Sequence, residues 1–226
     1  MTAAPAQPLN ITVGERTVRA LLIAPKRARA LYVLANGAGA GMAHPFMTKI
    51  AEGLAERGIA SLRYQFPYME NKSGRPDPPK LAQATVRAAC AAAQSVAPKL
   101  PLIAGGKSFG GRMTSQVQAS EALLGVRGLA FLGFPLHAAG KPSDERAEHL
   151  FEVKIPMLFL QGTRDALAEL DLLRPLIERL GRRATLRLVE DGDHSFHVRA
   201  SSGRTDAQAM IEVLDALAAW IDKVIV

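Results

Sequence analysis

The chain has 226 residues, which is enough for one sizeable α/β domain with a real core, and its hydrophobic content of 48% is that of a globular protein. No apolar run approaches the roughly 20 residues that a membrane-spanning helix needs. The net charge of +7 comes from scattered basic residues without a basic block interleaved with aromatics, so we expect a solvated basic surface and a small-molecule partner, not nucleic acid or a membrane.

The N-terminus and the single cysteine bear on the compartment. Residues 1–8 lack a basic region followed by an apolar stretch, so we predict no signal peptide. Cys90 has no partner for an internal disulfide, and it lies in an alanine-rich helical segment where we expect a small buried hydrophobe. The cytoplasm is therefore the expected location.

The predicted elements begin with an antiparallel hairpin, 10–13 and 17–23, and then alternate between strands and helices. The later predicted strands are 30–35, 59–63, 102–104, 126–132, 157–161 and 185–189. The predicted helices are 45–57, 81–96, 112–120, 167–180 and 207–221. This order predicts an α/β fold in one domain over residues 1–226: a mostly parallel, doubly wound sheet with helices on both faces.

A glycine-rich turn follows the predicted strand 102–104. Residues 105–111 are Gly-Gly-Lys-Ser-Phe-Gly-Gly, so the pattern G-x-S-x-G stands between a strand and a helix. In that context the pattern predicts a nucleophile elbow, with Ser108 as nucleophile and the amide of Phe109 as an oxyanion donor. The alternative is an ordinary glycine-rich turn, which the pattern alone does not exclude.

A serine nucleophile needs a base and an acid, each expected at the carboxyl end of a later strand. The loop after 157–161 supplies Asp165, and the loop after 185–189 supplies His194. Asp165 has the alternative of capping the next helix, and His197 competes with His194. Two other acids, Asp191 and Asp193, lie close to His194 along its own loop and are weaker candidates.

The loop after the strand 30–35 is also rich in glycine. Residues 36–42 are Asn-Gly-Ala-Gly-Ala-Gly-Met, and the amide of Ala38 is the expected second oxyanion donor. We do not interpret the loop as a nucleotide site, because the spacing G-x-G-x-x-G is not met. A phosphate-binding loop at Lys107 is excluded because position 101, where that motif requires a glycine, is a proline. We expect no cofactor and no metal.

These motifs resemble the α/β-hydrolase superfamily. More narrowly, the chain is similar to small bacterial α/β-hydrolase-like proteins related to the animal testis-expressed protein thirty and to the third subunit of the nonspecific-lethal acetyltransferase complex. The matching motifs are A-N-G-A-G at 35–39, R-Y-Q-F-P-Y at 63–68, G-K-S-F-G-G-R at 106–112, G-F-P-L-H at 133–137, Q-G-T-R-D at 161–165 and D-H-S-F at 193–196. The resemblance implies Ser108 as nucleophile, Asp165 as acid and His194 as base. Many members carry histidine where this chain has Asn36.

The expected activity is hydrolysis of small esters or thioesters through an acyl-enzyme. An acyltransferase or perhydrolase with the same triad, or a largely non-catalytic interaction module, remains open. Residues 134–155 leave room for one small helix, so we expect a minimal lid or none and an open, shallow site. Loops 36–47 and 64–80 should form its walls. The candidate substrate-binding residues are His44, Phe46, Tyr64, Phe66 and Tyr68, with Lys107 and Arg112, and also Arg63 and Arg75, making the mouth positive for an anionic substrate.

Overall fold

One eight-stranded sheet forms the centre of the molecule. The computed structural model describes residues 5–71 and 73–226, and within them the sheet has the order β1-β2-β4-β3-β5-β6-β7-β8. The strands are β1 (Gln7–Val13), β2 (Arg16–Ile23), β3 (Leu31–Ala35), β4 (Ala60–Tyr64), β5 (Leu102–Lys107), β6 (Val126–Leu132), β7 (Met157–Gly162) and β8 (Ala184–Val189). β2 pairs antiparallel with β1 and with β4, and all other neighbours are parallel. The predicted sheet and its N-terminal hairpin are confirmed.

Helices cover both faces of the sheet. The described α-helices are α1 (Pro45–Glu56), α2 (Pro67–Glu70), α3 (Pro79–Val96), α4 (Phe109–Ser120), α5 (Leu170–Leu180) and α6 (Asp206–Val224). Short 3₁₀ helices span Glu145–Glu152, Gly181–Arg183 and Ala200–Ser202. Buried side chains of α3, α4 and α5 pack in one apolar cluster, and those of α1 and α6 pack in another.

The central strands are mostly apolar because both of their faces are covered. On β3, Leu31 and Val33 pack into the cluster of α3, α4 and α5, whereas Tyr32 and Leu34 pack into the cluster of α1 and α6. Successive side chains of a strand point to opposite faces, so a continuous apolar run fills both cores. β3 therefore contributes to both cores and presents none of its side chains to solvent.

Several boundaries differ from prediction for local reasons. β5 continues through the glycine pair to Lys107 because Gly105 and Gly106 pair with both neighbouring strands. α4 accordingly starts at Phe109 rather than at 112. α5 starts at Leu170 rather than at 167, because a turn held by the side chain of Asp165 comes first. The turn α2 was not predicted within the proline-rich loop.

The connection between β6 and β7 contains only the 3₁₀ helix Glu145–Glu152, as the single small helix predicted there. Cys90 is buried in α3, as expected, and burial raises the pKa of its thiol to about 12. In the described ranges, no helix has the length and apolar character needed to cross a membrane. Residues 1–4 of the segment tested for a signal peptide lie outside the described residues.

Candidate active site

The glycine-rich turn between β5 and α4 is strained at its serine. Ser108 has φ 49° and ψ −115°, a backbone conformation that residues other than glycine rarely adopt. The turn also lies against the end of β3: a Cβ at Gly106 would meet the carbonyl oxygen of Ala35 at 2.2 Å, and one at Gly110 would meet that of Asn36 at 2.5 Å. Glycine is therefore required at both positions, and the hydroxyl of Ser108 is held at the carboxyl edge of the sheet.

A chain of hydrogen bonds joins the three residues predicted as a triad. His194 Nε2 lies 2.9 Å from Ser108 Oγ, and His194 Nδ1 lies 2.6 Å from Asp165 Oδ2. Ser108 follows β5, Asp165 follows β7 and His194 follows β8. The side chain of His194 is 24% exposed and that of Asp165 is fully buried, so the chain runs from the surface inward. With Nδ1–H donating to the carboxylate, Nε2 is the ring nitrogen that accepts from the serine hydroxyl.

Asp165 is held from three sides. Besides His194, its carboxylate accepts a hydrogen bond from Gln161 Nε2, and the amide of Leu167 donates to Oδ1 at 2.9 Å. Gln161 Oε1 accepts from the amide of Phe134 at 2.9 Å, which fixes which end of the side-chain amide faces the acid. The capping alternative for Asp165 is wrong, because the N-cap of α5 is Glu169 and Asp165 Oδ1 accepts in the turn before that helix. The sequence did not predict that Gln161 would hold Asp165, although Gln161 is the first residue of the motif Q-G-T-R-D at 161–165.

The competing residues of the His194 loop have other partners. Asp193 Oδ1 accepts from the amides of Ser195 at 2.7 Å and His197 at 3.0 Å, so this carboxylate shapes the loop. The ring of His197 lies at the surface, 2.7 Å from Asp206. Neither residue is hydrogen-bonded to the serine, whereas His194 is, and Asp165 is bonded to His194. The roles of Asp165 as acid and His194 as base stay predictions.

Lys107, expected at the mouth of the site, lies beneath it. Its side chain is almost fully buried, and its Nζ donates a hydrogen bond to the backbone carbonyl of His194. The same ammonium lies 5.7 Å from the centre of the Phe46 ring. Burial lowers the pKa of Lys107 to about 8, although the negative charges of Asp165 and Asp193 act to raise it. The prediction of a mouth-lining cation needs correction, because the residue before the nucleophile belongs to an internal strand.

Arg63 needs the same correction. It is 2% exposed, and its guanidinium donates to the carbonyl of Met42 at 3.2 Å and to Thr48 Oγ1 at 2.8 Å. Arg112 is half-buried on α4, one turn after the serine, and Arg75 is exposed in the loop before α3. Of the four predicted cations, the two on the internal strands β4 and β5 therefore do not reach the surface.

The loop 36–42 lies beside Ser108 and is hydrogen-bonded to Tyr68. A Cβ at Gly37 would lie 3.7 Å from Ser108 Cβ. Tyr68 Oη accepts a hydrogen bond from the amide of Gly39 at 3.2 Å and donates to the carbonyl of Gly37 at 3.4 Å. The predicted oxyanion donor Ala38 lies between these two glycines. The other one, Phe109, is the first residue of α4, where an amide has no acceptor inside the helix.

The predicted aromatic walls divide into buried and accessible residues. Tyr64 and Phe66 are 1% and 0% exposed, and their rings pack edge to face at 5.4 Å. Their assignment as substrate contacts is contradicted, because β4 is internal to the sheet and this end of it is covered. Tyr68 is buried too, and its hydroxyl serves the glycine loop. His44 is exposed as the N-cap of α1, and Phe46 is partly exposed.

A strained serine elbow after β5, an acid after β7 and a histidine after β8 of an eight-stranded sheet define an α/β-hydrolase fold. The family model described as "Alpha/beta hydrolase domain" matches residues 28–222, and the chain belongs to this family.

Solved structures share the fold at low sequence identity. A dienelactone hydrolase from Anabaena variabilis is 19% identical over 99% of both chains, with a TM-score of 0.79. An α/β serine hydrolase without lid from Xanthomonas campestris is 20% identical over 99% of this chain and 97% of that one, with a TM-score of 0.74. The esterase domain of a Rhodothermus marinus protein is 16% identical over 98% and 100%, with a TM-score of 0.73. These likenesses establish the fold.

Proposed function

We propose that the protein is a serine hydrolase of small esters or thioesters that works through an acyl-enzyme. The observation that carries the proposal is the unbroken hydrogen-bond chain from Asp165 through His194 to Ser108. A strained elbow and a buried, fully hydrogen-bonded acid cost stability, and a purely structural role would need neither. The esterase and hydrolase names of the structural neighbours agree with this chemistry.

In the first half of the reaction, Ser108 Oγ attacks the ester carbonyl while His194 Nε2 takes its proton. The negative charge that develops on the carbonyl oxygen would be bound by the amides of Phe109 and Ala38, each donor contributing about 3 kcal/mol to transition-state stabilisation. Asp165 keeps the imidazole in the required tautomer and stabilises its cation. The tetrahedral intermediate then collapses, the bond to the leaving alcohol or thiol breaks, and that group receives the proton from His194.

In the second half, water hydrolyses the acyl-enzyme. His194 takes a proton from the water as its oxygen attacks the acyl carbonyl, and then returns the proton to Ser108 as the acid leaves. Access for water fits the partial exposure of His194. The short connection between β6 and β7 supports small substrates and an open site. The narrower kinship with the testis-expressed protein thirty family rests on the sequence motifs alone.

The test is covalent labelling of Ser108 with a fluorophosphonate, followed by intact mass. We expect one adduct on the wild-type protein and none on Ser108→Ala. The matched control is Ser115→Ala, because Ser115 Oγ also lies 2.7 Å from a histidine nitrogen, that of His149, but is buried. This control should keep the adduct. Absence of an adduct on the wild type, under conditions that label a known serine hydrolase, would contradict the proposal.

A positive label should be followed by a panel of 4-nitrophenyl esters of increasing acyl length. We expect turnover to be highest for short acyl chains and to fall for long ones, because the described residues between β6 and β7 provide little wall for a long chain. Ser108→Ala should lose turnover of every ester. Turnover that survives in this variant would count against Ser108 as the nucleophile.

A further inference from the structure

Arg112 lies in the first turn of α4, directly after the nucleophile. It follows Ser108 by four residues, and its amide donates to the carbonyl of Ser108 in the first turn of the helix. Residues four apart lie one above the other on a helix, about 6 Å apart along the axis. Helical side chains lean toward the N-terminus, so the side chain of Arg112 covers the turn that ends at Ser108.

Arg112 and Arg146 have no anionic partner within the described residues. Arg112 Nε is buried and makes no hydrogen bond there. No ion pair within 4.0 Å involves Arg112 or Arg146, the exposed arginine of the 3₁₀ helix Glu145–Glu152, among the residues that the structure describes. Ser115 of α4 lies 2.7 Å from His149 of that 3₁₀ helix, so the segment that carries Arg146 packs against the helix that carries Arg112. In agreement with this packing, the charge of Arg146 adds to burial in lowering the pKa of Arg112. A buried unpaired donor is costly, and an incoming anion would satisfy it.

A second line of contacts leads from the 3₁₀ helix Glu145–Glu152 toward His194. His149, on the same 3₁₀ helix, lies 6.4 Å from the ring of Phe134. The residue before Phe134 is Gly133, where a Cβ would lie 3.2 Å from His194 Cε1. Burial and the charge of Arg112 lower the pKa of His149 to about 4, so this ring is neutral at pH 7 and the arginines supply the positive charge there. Arg112 thus borders the site from the nucleophile side, and the 3₁₀ helix that carries Arg146 packs against Phe134, the residue next to the one that faces His194.

We propose that Arg112 and Arg146 form a subsite for a carboxylate on the acyl part of the substrate, so that the enzyme prefers monoesters of short dicarboxylic acids. This inference rests on the proposed ester hydrolysis. A guanidinium presents its donors in a planar fork that matches the two oxygens of a carboxylate. The separation of one helical turn between Ser108 and Arg112 suits a short acyl chain with its charge at the far end.

The test compares two esters with the same leaving group, 4-nitrophenyl butyrate and the mono-4-nitrophenyl ester of glutaric acid. We expect the wild-type protein to have the higher kcat/KM on the glutarate ester, and the preference to shrink as salt is raised. In Arg112→Met the glutarate-to-butyrate ratio of kcat/KM should fall by about 10- to 100-fold, the range for losing a charge-assisted hydrogen bond. Arg112→Lys should keep part of the preference, because it retains the charge without the fork.

Arg146→Gln provides a second variant at an exposed position, where folding is not at risk, and its ratio should fall as well. The matched control is Arg127→Gln, which removes one exposed arginine from the opposite end of β6 and should keep the wild-type ratio. Equal kcat/KM on both esters at low and high salt, with Ser108 still labelled by the fluorophosphonate, would overturn the carboxylate subsite alone. Loss of labelling would instead count against the proposed function.

Discussion

The carboxylate of Asp165 has little freedom to do anything except face His194. Its side chain has no exposed surface, and three donors hold it: the imidazole Nδ1–H, the amide of Leu167 and the side chain of Gln161. A carboxylate with its orientation fixed before the reaction begins can stabilise the imidazolium as it forms, without reorganisation. The charge of this side chain, more than its shape, is what the proposed reaction requires.

Asp165→Asn should therefore remove most activity while leaving the fold intact. An asparagine amide placed toward Nδ1 donates where the carboxylate accepted, which favours the wrong tautomer of His194, and we expect kcat on 4-nitrophenyl butyrate to fall by about 10³- to 10⁴-fold. The control is Asp191→Asn at the neighbouring acid, whose φ of 57° asparagine tolerates well. Equal losses in the two variants would show that Asp165 has no special place in the reaction.

We expect Tyr68 to influence catalysis through the glycine loop, because its hydroxyl bonds Gly39 and Gly37 and makes no hydrogen bond to Ser108. Tyr68→Phe keeps the packed ring and removes the hydroxyl that bonds Gly39 and Gly37, so the amide of Ala38 is less well placed for the oxyanion. We expect kcat to fall about tenfold with KM unchanged. Tyr64→Phe, which removes a buried hydroxyl elsewhere in the core, should leave kcat unchanged. A rise in KM with constant kcat for Tyr68→Phe would identify Tyr68 as a substrate contact instead.

At the scale of elements, the nucleophile turn depends on how closely β3 approaches the start of α4. Gly110→Ala would put a Cβ 2.5 Å from the backbone oxygen of Asn36, and neither backbone can give way easily. We expect the free energy of unfolding to fall by about 1 to 3 kcal/mol and labelling of Ser108 to slow at least tenfold. Gly74→Ala, where a Cβ meets open space, should change neither quantity. Urea unfolding and labelling rates measure both effects.

The order of elements and the three hydrogen-bonded residues were predictable because each follows from a local pattern. Apolar runs mark strands buried on both faces, and each polar loop after such a run lies at the same edge of the sheet. What failed depended on contacts distant in sequence. The glycine pair 105–106 looked like a turn, yet hydrogen bonds to β3 and β6 keep it in a strand. Lys107 and Tyr64 have the chemistry of surface residues, but the strands that carry them are internal.

At the scale of the whole molecule, the buried ammonium of Lys107 links stability to pH. Lysine has a pKa of 10.5 in the unfolded chain, and burial lowers it to about 8 in the folded protein. Between these values the unfolded chain binds more protons, so the folded protein gains stability as pH rises through this window. Relative to Lys107→Met, which has no such group, the wild type should gain about 2 to 3 kcal/mol in unfolding free energy. A constant difference between about pH 7 and about pH 10 in urea unfolding would contradict this.

The short connection between β6 and β7 also bears on how such a protein diverges. Ser108, Asp165 and His194 follow the ends of β5, β7 and β8, which the sheet holds in register. The 3₁₀ helix Glu145–Glu152 lies outside the sheet. We therefore expect that lengthening or exchanging this segment would change substrate selectivity and leave the hydrogen-bonded Ser108, His194 and Asp165 in place. On this expectation, substrate range would evolve through the connection between β6 and β7, and a protein designer should vary that segment first.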